Sequence, residues 1–273
     1  MKQVNGLPTL LSFVALLALF APWSRQSAAE DATDVRTIMQ AVEDRSEGQT
    51  RSSEIEMQIT AKNGDQRIRK LRSMLKETEG LRVRALYLLA PADVKDTALL
   101  TNDYENIAQE DEQWLYLPSL KKTKRIPTGD QSNSFLGSDF SYADLTRVEI
   151  DLYDYKLMRE TQIEDKAAWQ IEAVPRSKEE ARRTGYSKAV LFVRKDNYVI
   201  ARAVYFMSGG RLKYLDVRDL QEIKGVWVAT EVHMTTKQGD DVLHKTVLLS
   251  RDVKVNEPLD ENMLTVRGLE KGV

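Results

Sequence analysis

The chain contains no cysteine. That excludes disulfides, thiolate nucleophiles and cysteine metal sites, and leaves no residue for N-terminal lipid modification. Histidine is almost as scarce: His233 and His244 fall on separate predicted strands, and no carboxylate pattern of metal type accompanies them, so no zinc site is expected. Charge of one sign is missing too. Forty basic and 42 acidic residues give a formal net charge of −2, and no global field favours nucleic acid. Aromatic residues are only 7% of the chain, too few to fill a thick core on every strand face. Beyond Phe20 no apolar run approaches membrane-spanning length. Neither a repeat of fixed period nor an alternation of helix and strand is present, which excludes solenoids and parallel α/β folds. No cofactor is implied.

The N-terminus is the exception to the lack of apolar runs. Lys2 is followed by a stretch from Leu7 to Phe20 that is almost entirely apolar, and Ser27-Ala28-Ala29 then supplies small residues. This is the pattern of a secretory signal peptide over residues 1–29, cleaved near Ala29, and it predicts a periplasmic protein. An uncleaved anchor is the alternative. Residues 30–273 are expected to form a single domain.

After it, Val35, Ile38, Met39 and Val42 recur at helical spacing, predicting a helix over 34–46 that Asp31 or Thr33 caps and Gly48 stops. The period then drops to two. Ile55, Met57, Ile59 and Ala61 share one face of a strand, and Asn63-Gly64-Asp65 turns the chain into a charged return strand over 66–76. Residues 81–89 alternate through Leu81, Val83, Ala85 and Tyr87, with Pro91 ending the strand. A second series is predicted over 152–163, 168–174, 187–194, 198–207, 211–220, 226–235 and 242–253, and a short closing helix over 257–263. In the sixth of these strands Val226, Val228, Val232 and Met234 share a face. Strands linked by tight turns at short spacing leave a sandwich or a wide curved barrel, and the low aromatic content favours a curved sheet around a cavity.

Between the two series lies an unusual segment. Trp114-Leu115-Tyr116-Leu117-Pro118 runs into a basic cluster, Lys121, Lys122, Lys124 and Arg125, then a polar loop and the run from Phe135 to Leu145, Phe-Leu-Gly-Ser-Asp-Phe-Ser-Tyr-Ala-Asp-Leu. These two motifs, with the run from Pro91 to Leu100 and the ending Met263-Leu264-Thr265-Val266-Arg267, resemble the outer-membrane lipoprotein-sorting proteins with a LolA-like fold. The family pattern has Gly where Asp96 stands, which predicts a local difference in that turn.

The resemblance implies an α+β fold: a curved, unclosed antiparallel β-sheet, a half-barrel, with helices lining its concave side. It implies a carrier that holds lipid or lipoprotein acyl chains in an apolar cavity. It further implies transfer toward the outer membrane alongside a transporter of the resistance-nodulation-division (RND) type, with transient membrane contact and no catalytic step. The expected cavity residues are Ile55, Met57, Ile59, Leu81, Val83, Tyr87, Trp114, Tyr116, Phe135, Phe140, Tyr142, Val228, Val232 and Met234. The N-terminal helix and the Phe135–Leu145 segment are the candidate gates, since buried chains leave only if an element swings away.

Each sharp reading has a plain counterpart. Lys121, Lys122, Lys124 and Arg125 suit anionic headgroups or an acidic partner, and equally a charged edge that discourages strand-to-strand aggregation. Ser138 and Asp139 suggest a serine hydrolase only if a histidine reaches the hydroxyl; closing a turn or capping a helix is the favoured role. Asp240-Asp241 and Glu179-Glu180 fall in predicted loops and read as solvated. A periplasmic accessory subunit of a membrane transporter, its cavity purely structural, is the competing function.

Overall fold

The computed structural model of this protein describes residues 34–147 and 149–272; the proposed signal peptide lies outside them. Thirteen strands form one antiparallel sheet: β1 Thr50–Ala61, β2 Gln66–Thr78, β3 Leu81–Ala90, β4 Ala98–Tyr104, β5 Glu112–Leu117, β6 Lys122–Arg125, β7 Tyr153–Ile163, β8 Lys166–Pro175, β9 Tyr186–Arg194, β10 Ile200–Met207, β11 Arg211–Ile223, β12 Val226–Gln238 and β13 Asp241–Val255. Their spatial order is β6-β5-β4-β3-β2-β1-β13-β12-β11-β10-β9-β8-β7. All neighbours but one are joined in sequence by a turn or short connection. The exception is β1 with β13, whose pairing of Met57 with Leu248 and Ile59 with Thr246 welds the two halves together. β6 and β7 are edges, so the sheet is not closed, and β6 carries Lys122, Lys124 and Arg125 there.

Alternation decides the packing. On one face, Met57, Ile59, Leu71, Leu86, Leu88 and Leu99 close around Phe135. On the opposite face of the same strands, Met74, Ala85, Tyr87, Ala98 and Leu100 are covered by Leu264 and Leu269 of the C-terminal segment. A third cluster lies under helix α1 (Val35–Glu43), whose Ile38 and Met39 meet Trp169 and Ile171 of β8 and Leu191 and Val193 of β9. The face carrying α1 and Phe135 is the concave one. Burying both faces of a half-sheet supplies the core that a chain without disulfides requires.

Several local expectations are corrected. Helix α1 is capped by Asp34, whose carboxylate accepts from the Arg36 N–H at 3.1 Å. It ends at Glu43, not at Gly48, because residues 45–47 leave the helix to place Arg45 and Glu47 over the sheet. Gly48 serves packing instead: at φ 84° a Cβ would come within 2.9 Å of Val255 beside the β1–β13 junction. Asp96 sits at φ 64°, the left-handed conformation that Gly favours and Asp tolerates, so the turn keeps its backbone form at the position where the family pattern has Gly. Glu179 and Glu180 are not in a loop but in helix α2 (Lys178–Thr184). Its Glu180 is only 4% exposed and is held by Arg183 at 2.6 Å and the Tyr153 hydroxyl at 2.6 Å. The closing helix is two short pieces, a 3-10 turn over Glu261–Leu264 and helix α3 (Val266–Leu269).

Candidate functional site

The concave face is crossed by the connection between β6 and β7. Residues 131–147 lie across the sheet and are pinned from both halves. The buried Asp139 carboxylate accepts from Thr236 Oγ1 at 2.6 Å and Thr246 Oγ1 at 2.7 Å, on β12 and β13. The Asp144 carboxylate accepts from Lys213 Nζ at 3.1 Å and from the Tyr186 hydroxyl at 2.7 Å, on β11 and β9. From the other half, Gln113 donates to the Tyr142 carbonyl at 3.0 Å, Arg84 to the Leu145 carbonyl at 3.3 Å, and Arg69 to the Leu136 carbonyl. Phe135 and Phe140 point inward, 2% and 6% exposed. Freeing this segment breaks buried, charge-assisted hydrogen bonds that cost about 1.5–3 kcal/mol each. It divides the concave face. Of the two gate candidates, α1 is the lighter, with only Ile38 and Met39 wholly buried.

Three cavities meet at Asp144. The largest, about 280 Å³, runs beneath the divider between β2 and β12 and is walled by Ile55, Met57, Leu71, Leu86, Phe135, Val232 and Leu248. Serines keep it open: Ser53 and Ser73 are paired across β1 and β2, and Ser250 lies opposite Ile55. A second chamber of about 120 Å³ is bounded by Tyr153, Tyr155, Leu191, Leu215 and the stacked rings of Tyr186 and Tyr205, whose centroids are 4.6 Å apart. Burial, then the Asp144 carboxylate, push the Tyr186 hydroxyl well above its ordinary pKa, so it stays a donor. The third, about 270 Å³, lies between α1 and β3 and is mixed, with Glu43, Arg45, Glu47, Arg82, Arg84 and Arg147 on its charged side and Met39, Val42, Ile150 and Ile200 on its apolar side.

Of the residues expected at a cavity, the structure brings Ile55, Met57, Phe135, Phe140, Val228 and Val232 to the largest chamber and Met234 with Phe140 to the second. Ile59 is packed beside Met57, and Tyr142 stands edge-on to Phe135 with centroids 5.8 Å apart. Val83, Tyr87, Trp114 and Tyr116 lie elsewhere. They face the opposite side under the C-terminal segment, where the Tyr87 hydroxyl donates to the Met263 carbonyl at 2.5 Å. Leu81, on the same parity, borders a polar hollow at the end of β3. The cause is that both faces of β3 are covered, so its more apolar parity packs under the C-terminal segment while Arg82, Arg84, Leu86 and Leu88 turn inward.

Lys121, Lys122, Lys124 and Arg125 remain at the sheet edge, exposed, with Arg125 3.5 Å from Glu112. Ser138 Oγ donates to the Phe135 carbonyl at 2.7 Å and closes the turn, and the nearest carboxylate to His244 is Asp139, at 3.6 Å. His233 is occupied with Glu231 at 2.6 Å.

The residues that sequence reasoning passed over are the arginines at the polar end of the concavity. Arg51 of β1 and Arg82 and Arg84 of β3 converge with Arg45 on Glu47, at 3.2, 3.8, 3.6 and 3.9 Å. Burial alone would raise the Glu47 carboxyl, but Arg51, Arg82, Arg84 and Arg45 together hold it at about 2. The signal was present as an Arg-x-Arg pair in a predicted strand.

A separate acidic hollow of about 240 Å³ lies outside this site, lined by Asp111, Glu149 and Glu180. Burial, then the neighbouring Asp111 and Glu43, push the Glu149 carboxyl up to about 7.

A family model described as an uncharacterized protein matches residues 82–271. No curated protein matches the sequence. Among solved structures, a putative outer membrane lipoprotein-sorting protein domain from Vibrio parahaemolyticus is 28% identical, with a TM-score of 0.77 over 86% of this chain and 97% of that one. A DUF1329 family protein from Desulfovibrio piger is 26% identical, with a TM-score of 0.74 over 86% and 95%. A LolA superfamily protein from Nitrosomonas europaea is 18% identical, and shares the fold at a TM-score of 0.61 over 84% and 96%.

Proposed function

This chain belongs to the LolA-like family of outer-membrane lipoprotein-sorting proteins, and we propose that it is a non-enzymatic carrier that shelters acyl chains of lipid or lipoprotein in its concave chamber. One observation carries the reading: a cavity of about 280 Å³ walled by Ile55, Met57, Leu71, Leu86, Phe135, Val232 and Leu248, kept unfilled by serines. Each methylene buried there stabilises the complex by about 0.8 kcal/mol, so even part of a chain is retained in water. Release then follows displacement of α1, while the pinned divider keeps the chambers shaped.

The proposed setting is the periplasm, reached by removal of residues 1–29 and followed by one domain over 30–273. Among the described residues no helix is long and apolar enough to cross a membrane. Transfer toward the outer membrane beside an RND-type transporter is proposed on the sequence resemblance, with Lys121, Lys122, Lys124 and Arg125 as the exposed contact for a partner or headgroups. Organic extraction and mass spectrometry of gently purified protein test the carrier role. Stoichiometric co-purifying lipid is expected. Lipid-free protein that also fails to take up a fluorescent fatty acid overturns it.

A further inference from the structure

Three of the four guanidiniums of the arginine cluster, those of Arg45, Arg51 and Arg84, share Glu47 as their only ion-pair partner. Four guanidiniums share the Glu47 carboxylate, and of these contacts only that of Arg51, at 3.2 Å, is a hydrogen bond. Arg82 has a second acid in Glu77 at 3.4 Å, yet its Nε is buried without any partner although the residue is only 6% exposed. Arg45 and Arg84 spend one N–H each on the carbonyls of Trp227 and Leu145. Asp103 lies opposite Arg82 across the β3–β4 pair, and burial pushes its carboxyl up to about 6 despite Arg84 and Arg82, which weakens it as a counter-charge in mildly acidic conditions. Burial lowers both Arg45 and Arg51, opposed by Glu47 and reinforced by neighbouring guanidiniums. The other nearby acids are engaged: Asp144 with Lys213, and Glu43 with the Ile150 N–H.

Position turns this excess into a site. Arg45, Arg51 and Arg84 line the apolar chamber, and Arg45, Arg82 and Arg84 form the charged side of the one next to it. Arg45, Glu47, Arg84 and Asp144 line both chambers. A ligand with its hydrocarbon against Met57 and Leu248 therefore presents its polar end to guanidiniums. Planar N–H pairs suit the oxygens of a phosphate, to which arginine binds in bidentate fashion.

We propose that Arg45, Arg51, Arg82 and Arg84 form a phosphoryl-binding site at the polar end of the cavity, so that the cargo is an amphiphile carrying a phosphate beside its acyl chains. The proposal rests on the carrier reading. It adds that the headgroup, not only the tails, is recognised inside the concavity. Glu47 holds the guanidiniums in place when no anion is bound, and is the group the phosphate displaces.

The test compares lipids with the same tails. Binding of fluorescently labelled phosphatidic acid and of the equally labelled diacylglycerol is titrated into the full chain, and inorganic phosphate is titrated alone by calorimetry. Phosphatidic acid is expected to bind about tenfold or more tightly than diacylglycerol. In the Arg45→Gln/Arg84→Gln double variant that ratio is expected to fall to about one. Glu47→Gln, which removes the competing anion, is expected to raise the ratio. If inorganic phosphate binds and the lipid ratio is one, the phosphoryl site stands and its ligand is the free anion, not a headgroup. Equal binding of the two lipids with no phosphate binding overturns the site and leaves the carrier intact. No binding of either lipid overturns the carrier reading itself, and phosphate calorimetry still decides the site. The wild-type comparison requires no variant to fold.

Discussion

If the chamber holds hydrocarbon, filling it from the wall must evict the ligand without dismantling the sheet. Ser250→Phe is the sharpest such perturbation. Ser250 pairs with Ile55, faces the chamber of about 280 Å³, and contributes only a small side chain to it. A buried phenyl group occupies roughly 150 Å² of apolar contact, the equivalent of about five methylenes at roughly 30 Å² each. Denying the ligand five methylenes costs it about 4 kcal/mol, or about 10³ in Kd, and a tail that shifts into the remaining space still loses at least about tenfold. The protein itself loses at most about 1–3 kcal/mol from overpacking, since the ring enters an existing void. The assay is titration with a dansyl-labelled fatty acid, with circular dichroism and thermal melting as controls for folding. Arg251→Phe, the next residue along β13 and exposed, points to the other face and is expected to bind like wild type. A folded Ser250→Phe protein that binds fatty acid with unchanged affinity refutes the assignment of this chamber to cargo.

Two further expectations concern stability. Glu149 has its Oε1 buried without a partner and its carboxyl raised from 4.5 to about 7 by burial, then by Asp111 and Glu43. A raised acid favours folding while protonated, so its contribution is complete below about pH 4.5 and is lost as pH climbs to about 7. Glu149→Gln is accordingly expected to stabilise the fold by about 2–3 kcal/mol at pH 8 and by little at pH 4; equal denaturant midpoints at pH 8 would sink the assignment. Leu269, fully buried against the outer face of β3 and β4, closes the C-terminal segment over Tyr87 and Leu100. Leu269→Ala is expected to cost about 3 kcal/mol in urea unfolding while fatty-acid affinity stays at the wild-type value, and loss of affinity at full folding would place the ligand on the wrong face.

Much of the site was legible in outline. The apolar parity of Ile55, Met57 and Ile59, the aromatic run Phe135–Phe140–Tyr142 and the valines of β12 were visible as period-two patterns or as a motif, and the structure gathers most of them at one concavity. What escaped has a common cause. Trp114 and Tyr116 were grouped with Phe135 because they share a motif, but strand β5 puts them on the face away from Leu115. The role of Arg82 and Arg84 is not visible locally, because charges at alternate positions of β3 look the same whether water or, as here, residues from α1 and the divider lie over them. Glu180 was read as exposed because a seven-residue helix leaves too little periodicity to detect.

A repeat of two residues and the backbone demands of Asn, Gly and Asp act over a few positions, so β1 to β3, β7 to β13 and the turns between them were legible locally, whereas β4 and β6 were not. Long-range packing settles which parity of each strand faces the hollow, how β1 meets β13, and the sharing of one carboxylate by four arginines from separate segments. Those outcomes depend on what covers each face, and the covering elements, α1, the 131–147 divider and the C-terminal segment, come from parts of the chain that local patterns cannot bring together.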